Sequence, residues 1–405
     1  MTERNVAGMK NMLMVYPNNF LQGAMGTNNR VAQLVSIFHE IGFQIDYFAY
    51  ENFSENSSFV DFDKQNSTGL IRKLYLYDMS KGYKNSECEK DSKLHIFCEK
   101  VKDKLGREKE HKYLQDWVPA GAQRYFTDIL QENEYDVIIL FYTYFANLLK
   151  DRDIKAKKVY FMEDCMFLQQ YSWDKDTVEG VTIGKLLDEE IERLSYFDEI
   201  FCISYDEKIF YEKVVGKNIH FFPHLLSDDV KKVQTPVEKR RWDVFFIGFN
   251  NPFNLEGLNW FLDEVYPKLD NGIKILLAGS VTKNIETKYQ NIDIIPFIPD
   301  LDEIYEDVKI VVCPMFRGTG MKIKVVEAMS KGVPVVCNER GTDGFPDKNM
   351  CGCLVTQDAE EFAEYINRLL ESRERYKEVT GKMQEYYDLT FQREKYVHVL
   401  KEVLL

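Results

Sequence analysis

The stretch 309–345 constrains the fold of this chain more than any other. An apolar run at 310–314 meets a glycine-rich turn of Gly318, Thr319 and Gly320, then a helix-period segment at 321–331 and a second apolar run at 333–337. The order reads strand, loop, helix, strand: a βαβ unit whose loop stands at the carboxyl end of a strand. Open α/β sheets bind ligands there, and glycines let an anion approach a helix N-terminus carrying roughly half a positive charge. A diphosphate is the guest that such a loop predicts.

On a helical period, Gly320, Lys324, Glu327 and Lys331 fall on one stripe, while Ile323, Val326, Met329 and Ser330 fall on another. A polar stripe thus starts at the anion-binding end. One reading has Lys324 neutralise phosphate and Glu327 accept hydrogen bonds from vicinal hydroxyls such as those of ribose. The other is an ordinary i,i+3 ion pair on a solvated face, worth a few tenths of a kcal/mol. The flanking apolar strands put this helix at a sheet edge and favour the first.

Length and composition allow two α/β domains: 405 residues, 45% hydrophobic and 14% aromatic, supply two ordinary cores. The first is expected over 1–226, and 227–241, charged and proline-containing without apolar periodicity, reads as a linker. The second is expected over 242–386, with an amphipathic terminal segment over 387–405. Residues 51–115 turn polar and densely charged with interspersed aromatics, which reads as an insertion carrying helices rather than core strands. It borders an acceptor or membrane surface, or is a solvated decoration. Neither repeats nor low-complexity tracts emerge. A formal net charge of -14 argues against nucleic acid as partner. The longest apolar stretch, 137–149, is interrupted by Thr143 and Asn147 and falls short of the ~20 residues of a membrane span. A cytoplasmic location, at most peripheral at the inner membrane face, is expected.

The motif RGTGMKIKVVEAMSKGVPVV resembles the donor site of GT-B glycosyltransferases, in particular the retaining group numbered family four. Many members carry two glutamates separated by seven residues; Glu327 matches the second, and Thr319 stands at the place of the first. The sequence fits a GTGxKxKxxEA branch instead, with Lys324 near the phosphates. The resemblance implies α/β architecture with two Rossmann-like domains whose parallel sheets face each other across a cleft, and a terminal helix that returns to the N-terminal domain. It also implies metal-independent transfer of a sugar from a nucleotide-diphosphate sugar, UDP favoured and GDP second, to a glycan, lipid-linked or protein acceptor.

Upstream, WDVFFIGFNNPFNLEGLNWFLDEVYPKL is similar to the first strand, loop and helix of that family's donor domain, with Gly248 in the turn. Members usually have a basic pair after this glycine, where this chain has Asn250, Asn251 and Asn254. Phosphate neutralisation then falls on Arg317, Lys322 or Lys324. The segment around Phe297 and Ile298 is where the family meets the base. Gly318, Thr319, Gly320 and Met321 complete the donor-binding set. At the N-terminus, the family's glycine loop and first helix are matched by Gly23, Gly26 and Arg30.

Eight cysteines include Cys202, Cys313 and Cys337 within apolar strand-like runs, and Cys351 and Cys353 form C-x-C without a second pair. All read as free thiols. The six histidines, His220 and His224 among them, lack metal-ligand spacing. Aspartate pairs at 61 and 63, 151 and 153, 174 and 176, and 300 and 302 follow no strong apolar strand, so no metal cofactor is expected.

Runs at 137–141 and 159–162 read as parallel strands of the first domain, placing Tyr142, Thr143, Tyr144, Glu163 and Asp164 at carboxyl ends. The family keeps acceptor-side polar residues near Glu163 and Asp164, though its usual histidine is missing; a helix-capping pair is the alternative. In retaining transfer the departing phosphate oxygen itself takes the acceptor proton, so Lys324, Arg317 and helix N–H groups act by stabilising negative charge. Two rivals stand beside this reading: a GT-B nucleotide-sugar epimerase, and a non-catalytic partner subunit, the latter motivated by Thr319 and the missing histidine.

Overall fold

A computed structural model of the chain describes residues 8–22, 26–54, 57–81, 113–175, 180–226, 232–285 and 290–405. Two compact units emerge: one comprises Met1–Ile203, Glu207–Phe222 and Tyr396–Leu405, the other Ser204–Asp206 and Pro223–Lys395.

The first unit is built on seven strands: β1 (Lys10–Val15), β2 (Phe43–Glu51), β3 (Ile71–Asp78), β4 (Val137–Phe141), β5 (Lys157–Met162), β6 (Glu199–Cys202) and β7 (Ile219–Phe221). Their order is β3-β2-β1-β4-β5-β6-β7, and every neighbouring pair is parallel. β4 (VIILF) is buried throughout, as expected of a central strand covered on both faces. The chain reverses its direction of travel across the sheet between β1 and β4. Loops leaving these strands therefore flank the position where such sheets bind ligands.

β3 corrects the expectation of a helical insertion over 51–115. Ile71, Tyr75 and Tyr77 are buried, whereas Arg72 and Lys73 point to solvent. The adjacent exposed pair sits at a register shift against β2, and from Leu74 to Asp78 half-buried and buried residues alternate as in an edge strand. Phe59 and Phe62 are also core, packing on Tyr47 at ring-centroid distances of 6.1 Å each. The remainder of that expectation, 82–112, lies outside the described residues, with Cys88 and Cys98.

The last helix, Arg393–Leu404, buries Tyr396, Val397, Leu400 and Leu404. Tyr396 meets Phe221 and Phe222 edge-on at 5.8 and 5.9 Å. Lys10 Nζ donates to Leu405 O at 2.7 Å, and Lys157 Nζ to Val403 O. Two ammonium groups thus satisfy carbonyls at the negative end of the helix.

The second unit carries β8 (Trp242–Ile247), β9 (Ile275–Ala278), β10 (Ile292–Ile295), β11 (Val308–Cys313), β12 (Val335–Cys337) and β13 (Leu354–Val355). Their order is β10-β9-β8-β11-β12-β13, again all parallel. Its switch point lies between β8 and β11. The described part of the expected linker is anchored in this unit. Val233 N donates to Lys331 O at 3.0 Å, and Arg240 Nη1 to Val308 O at 3.1 Å and to the Tyr376 hydroxyl at 3.0 Å. A charged stretch without periodicity can still be fixed by bonds to backbone. Among the described residues, no helix is long and apolar enough to cross a membrane.

Because Leu400 is fully buried, Leu400→Ala is expected to destabilise the first unit by about 2–5 kcal/mol. Chemical denaturation followed by circular dichroism checks this; an unchanged midpoint would show that the terminal helix contributes nothing to that core.

Candidate functional site

The geometry of the second unit's switch point begins with a missing side chain. The Pro252–Trp260 helix, capped by Asn251 Oδ1 accepting from Asn254 N at 2.8 Å, follows the turn after β8. Midway along it, a Cβ on Gly257 would stand 1.9 Å from the carbonyl oxygen of Pro314. Helix and strand exit therefore meet backbone to backbone, which brings Asn254 and Glu256 against the loop that follows β11.

In that loop, Gly318 and Gly320 adopt φ of 103° and 71°, the left-handed region that glycine tolerates. The helix beyond it runs Ile323–Lys331, two residues shorter than its expected span. Lys322, at the N-cap with ψ of 95°, stays extended. Its ammonium folds back to donate to Thr319 O and Gly320 O, at 3.0 Å each, and the residue is buried. Lys322, expected among the donor-binding residues, therefore braces the loop in this structure. Arg317 is likewise engaged: Nε donates to Glu256 Oε2 at 2.9 Å and Nη2 to Oε1 at 2.8 Å, a two-pronged pair at the surface. Its charge is thus shared with a carboxylate in this structure, through an exposed pair of the kind that contributes little to stability.

Lys324 stands apart from both. Its Nζ donates to the neutral Asn254 Oδ1 at 3.0 Å and lies 4.8 Å from the centre of the Phe246 ring. It does not close the i,i+3 ion pair with Glu327. Although part of its side chain reaches the surface, the surrounding protein desolvates the ammonium and lowers its pKa. Glu327 lies on the same stripe, partly open, and burial pushes its carboxyl up to about 7 against the pull of Lys324 and Lys331. Lys331 is turned away onto Asp302 at 2.6 Å. The buried Tyr305 hydroxyl, within electrostatic reach of Glu327, has no hydrogen-bond partner. A cation and a weakly acidic carboxyl thus flank the start of one helix, and perturbed groups gathered in this way mark functional sites.

Loops from the neighbouring strands present Gly248 after β8 and Phe297 and Ile298 after β10. Phe297 is 72% exposed and Phe249 46%. Two large rings left in solvent at carboxyl ends of strands offer flat faces on which a planar ligand can stack. Met321 is buried.

The sequence-predicted residues of the first unit are largely spent on one another. Arg30, on the Gly26–Glu40 helix, is buried; its Nε donates to Glu163 Oε1 and its Nη2 to Phe222 O, both at 2.8 Å. A buried pair of this kind is costly to break. Both groups, expected on the acceptor side, are engaged with each other and with backbone here. Tyr144 is also corrected: it is fully buried and packs against Trp117 at 4.3 Å. Gly26 begins the first helix, whereas Gly23 lies outside the described residues. Asp164 remains partly exposed after β5.

The expected helix start after Glu163 and Asp164 is satisfied from elsewhere in the chain. The Met166–Asp174 helix starts at Cys165 without a side-chain cap, and the N–H groups of Met166 and Phe167 donate to Glu190 at 3.2 and 2.8 Å. Glu190, fully buried, has its carboxyl raised to about 7 by burial. Sequence reasoning missed it because it hides in a charged helical run, with its partners far away in the chain. It also passed over the backbone of Tyr142, whose φ of 62° is unusual for a non-glycine residue and whose ring stacks on Tyr16 at 6.1 Å.

The six described cysteines are free thiols. Asp300 Oδ1 caps its helix by accepting from Asp302 N at 2.9 Å, and His220 pairs with Glu199 at 2.9 Å. Among the described residues, no group of three or more His, Cys, Asp or Glu is placed to hold a metal ion.

Comparison with known proteins agrees with this architecture. Residues 241–372 match the family model described as Glycosyl transferases group 1. A 44.6 kDa protein in the cps region of Klebsiella pneumoniae is 25% identical over 243 residues; the alignment spans 55% of this chain and 55% of that relative. Sucrose-phosphate synthase from Thermosynechococcus elongatus has a TM-score of 0.68 at 14% identity, over 97% of this chain and 98% of its own. TarM, known from S. aureus, gives 0.67 at 12% over 99% of both chains. Anabaena HepE in complex with UDP-glucose gives 0.65 at 13%, over 98% and 99%. The fold is that of GT-B proteins, two parallel-sheet Rossmann-like units.

The raised Glu327 carboxyl has a stability consequence. Its folded pKa of about 7 lies above the ordinary 4.5, so its stabilising contribution is complete below pH 4.5 and is lost as pH rises through about 7. Glu327→Gln is therefore expected to flatten the fall in melting temperature between pH 5 and 8. Parallel curves for the two proteins would contradict a desolvated carboxyl at this position.

Proposed function

We propose that this chain is a retaining GT-B glycosyltransferase. Its sugar comes from a nucleoside diphosphate sugar, UDP favoured over GDP, and passes to a glycan, lipid-linked or protein acceptor without a metal ion. The observation that carries this reading is the Lys324 ammonium. It is held at a helix start beside a glycine loop by a neutral amide, while Arg317 and Lys322 are bonded elsewhere. A diphosphate at this switch point meets backbone N–H groups and one uncompensated cation. Glu327, when ionised, accepts hydrogen bonds from the ribose hydroxyls, and Phe297 offers its exposed ring to the base. The family match over 241–372 supports the donor role of this unit, and the likeness of fold to a protein solved with UDP-glucose supports uridine.

In the proposed reaction the anomeric carbon loses its bond to the β-phosphate oxygen and gains one to the acceptor oxygen on the same face. The acceptor proton passes to the departing phosphate. Lys324 stabilises the charge that gathers there, so no protein nucleophile is needed. Asp164, partly exposed after β5, is the carboxylate assigned to the acceptor side.

A thermal-shift panel of nucleotide sugars tests this. A ligand at ~100 times its dissociation constant should stabilise by about 2.7 kcal/mol. A panel without any stabilising ligand would favour a non-catalytic partner subunit. Glu327→Ala should weaken UDP binding at least ~10-fold, as the loss of charge-assisted bonds worth about 1.5–3 kcal/mol implies; unchanged calorimetric affinity would remove its ribose role. Turnover should survive EDTA, and activity lost to chelation and restored by manganese would refute the metal-free mechanism.

A further inference from the structure

The way Lys324 is held names a further residue. Asn254 lies on the Pro252–Trp260 helix with only 8% of its surface exposed. Its Nδ2 donates to Phe249 O at 3.0 Å, which fixes the amide orientation and leaves Oδ1 to accept from Lys324 Nζ. Freedom to turn is small, because a Cβ on Gly248 would already stand 3.0 Å from Asn254 Cγ. The helix is set in turn by the Asn251 cap and by the Gly257 contact with Pro314. Each of the other two cations of this region meets a different fate: a carboxylate neutralises Arg317, and loop carbonyls absorb Lys322.

We infer that Asn254 is the positioning residue that holds the Lys324 ammonium toward the donor diphosphate, and that an amide at this position keeps the charge unspent. The inference rests on the donor role proposed above for Lys324. A carboxylate at 254 would form a partly buried ion pair and cancel the charge; an apolar residue would leave the ammonium without its anchor. The groups facing Lys324 are Cys313 on β11, Lys322 in the loop and Glu327 on its own helix, with the uncharged Asn254 and Phe246 from the other two elements. Burial, the largest influence, holds the ammonium below the usual 10.5. Nucleotide affinity should therefore fall at a lower pH than an ordinary lysine would dictate, with Cys313 and Glu327 as the neighbours whose negative forms resist the shift.

The test is calorimetric binding of UDP and GDP across pH to wild type, Asn254→Ala, Asn254→Asp, Lys324→Ala and the double variant Asn254→Ala/Lys324→Ala. Asn254→Ala should weaken binding by about 10-fold, the lower end for a hydrogen bond to a charged group. In the Lys324→Ala background it should weaken binding no further. The near-isosteric Asn254→Asp should also weaken binding and move the alkaline loss of affinity to higher pH. If Asn254→Ala does not fold, Asn254→Asp and its pH profile decide alone. Additive losses in the double variant, or an unmoved alkaline limb in Asn254→Asp, would overturn the positioning role while leaving the donor site intact. Absence of UDP and GDP binding to the wild type would overturn the donor reading and this inference together.

Discussion

Everything at the second unit's switch point depends on the approach of the Pro252–Trp260 helix to the exit of β11, where the Gly257 position has room for no side chain against the Pro314 carbonyl. Close-packed interiors have no slack to absorb even one methyl group at such a contact. The contact fixes how far Asn254 and Glu256 stand from the loop, and hence which cations they meet. Glu256 takes Arg317 in a two-pronged pair, and Asn254 takes Lys324 through a single neutral acceptor. One helix thus decides which positive charge is compensated and which is not.

The same economy of charge runs through the first unit. Arg30 and Glu163 compensate each other out of water, and Glu190 spends its carboxylate on the free N–H groups of a helix start. A charged side chain at the end of a central strand is often read as reactive, yet burial demands a partner and the partner removes the reactivity. Nearby, Asp164 and Tyr142 at carboxyl ends of this sheet are partly exposed.

What the sequence made legible follows from the range of the interactions involved. The strand-loop-helix-strand order and the Lys324 and Glu327 stripe were readable because period and spacing are local. The partners were not: 61 positions separate Arg317 from Glu256, 70 separate Lys324 from Asn254 and 133 separate Arg30 from Glu163. No pattern along the chain announces such pairs. The strand β3 was misread for another reason: its short apolar alternation, Leu74 to Tyr77, is set in a densely charged stretch and preceded by the charged pair Arg72 and Lys73 at a register shift.

The brace formed by Lys322 gives the loop after β11 a property of its own. With its ammonium bonded to Thr319 O and Gly320 O, the turn is shaped by contacts internal to it. Ordering a residue costs about 1–2 kcal/mol of backbone entropy. Here folding has already met that cost. A ligand that docks on this loop need not divert binding free energy into shaping it. A loop organised from within favours affinity over adaptability, because little of the interaction energy is lost to ordering it.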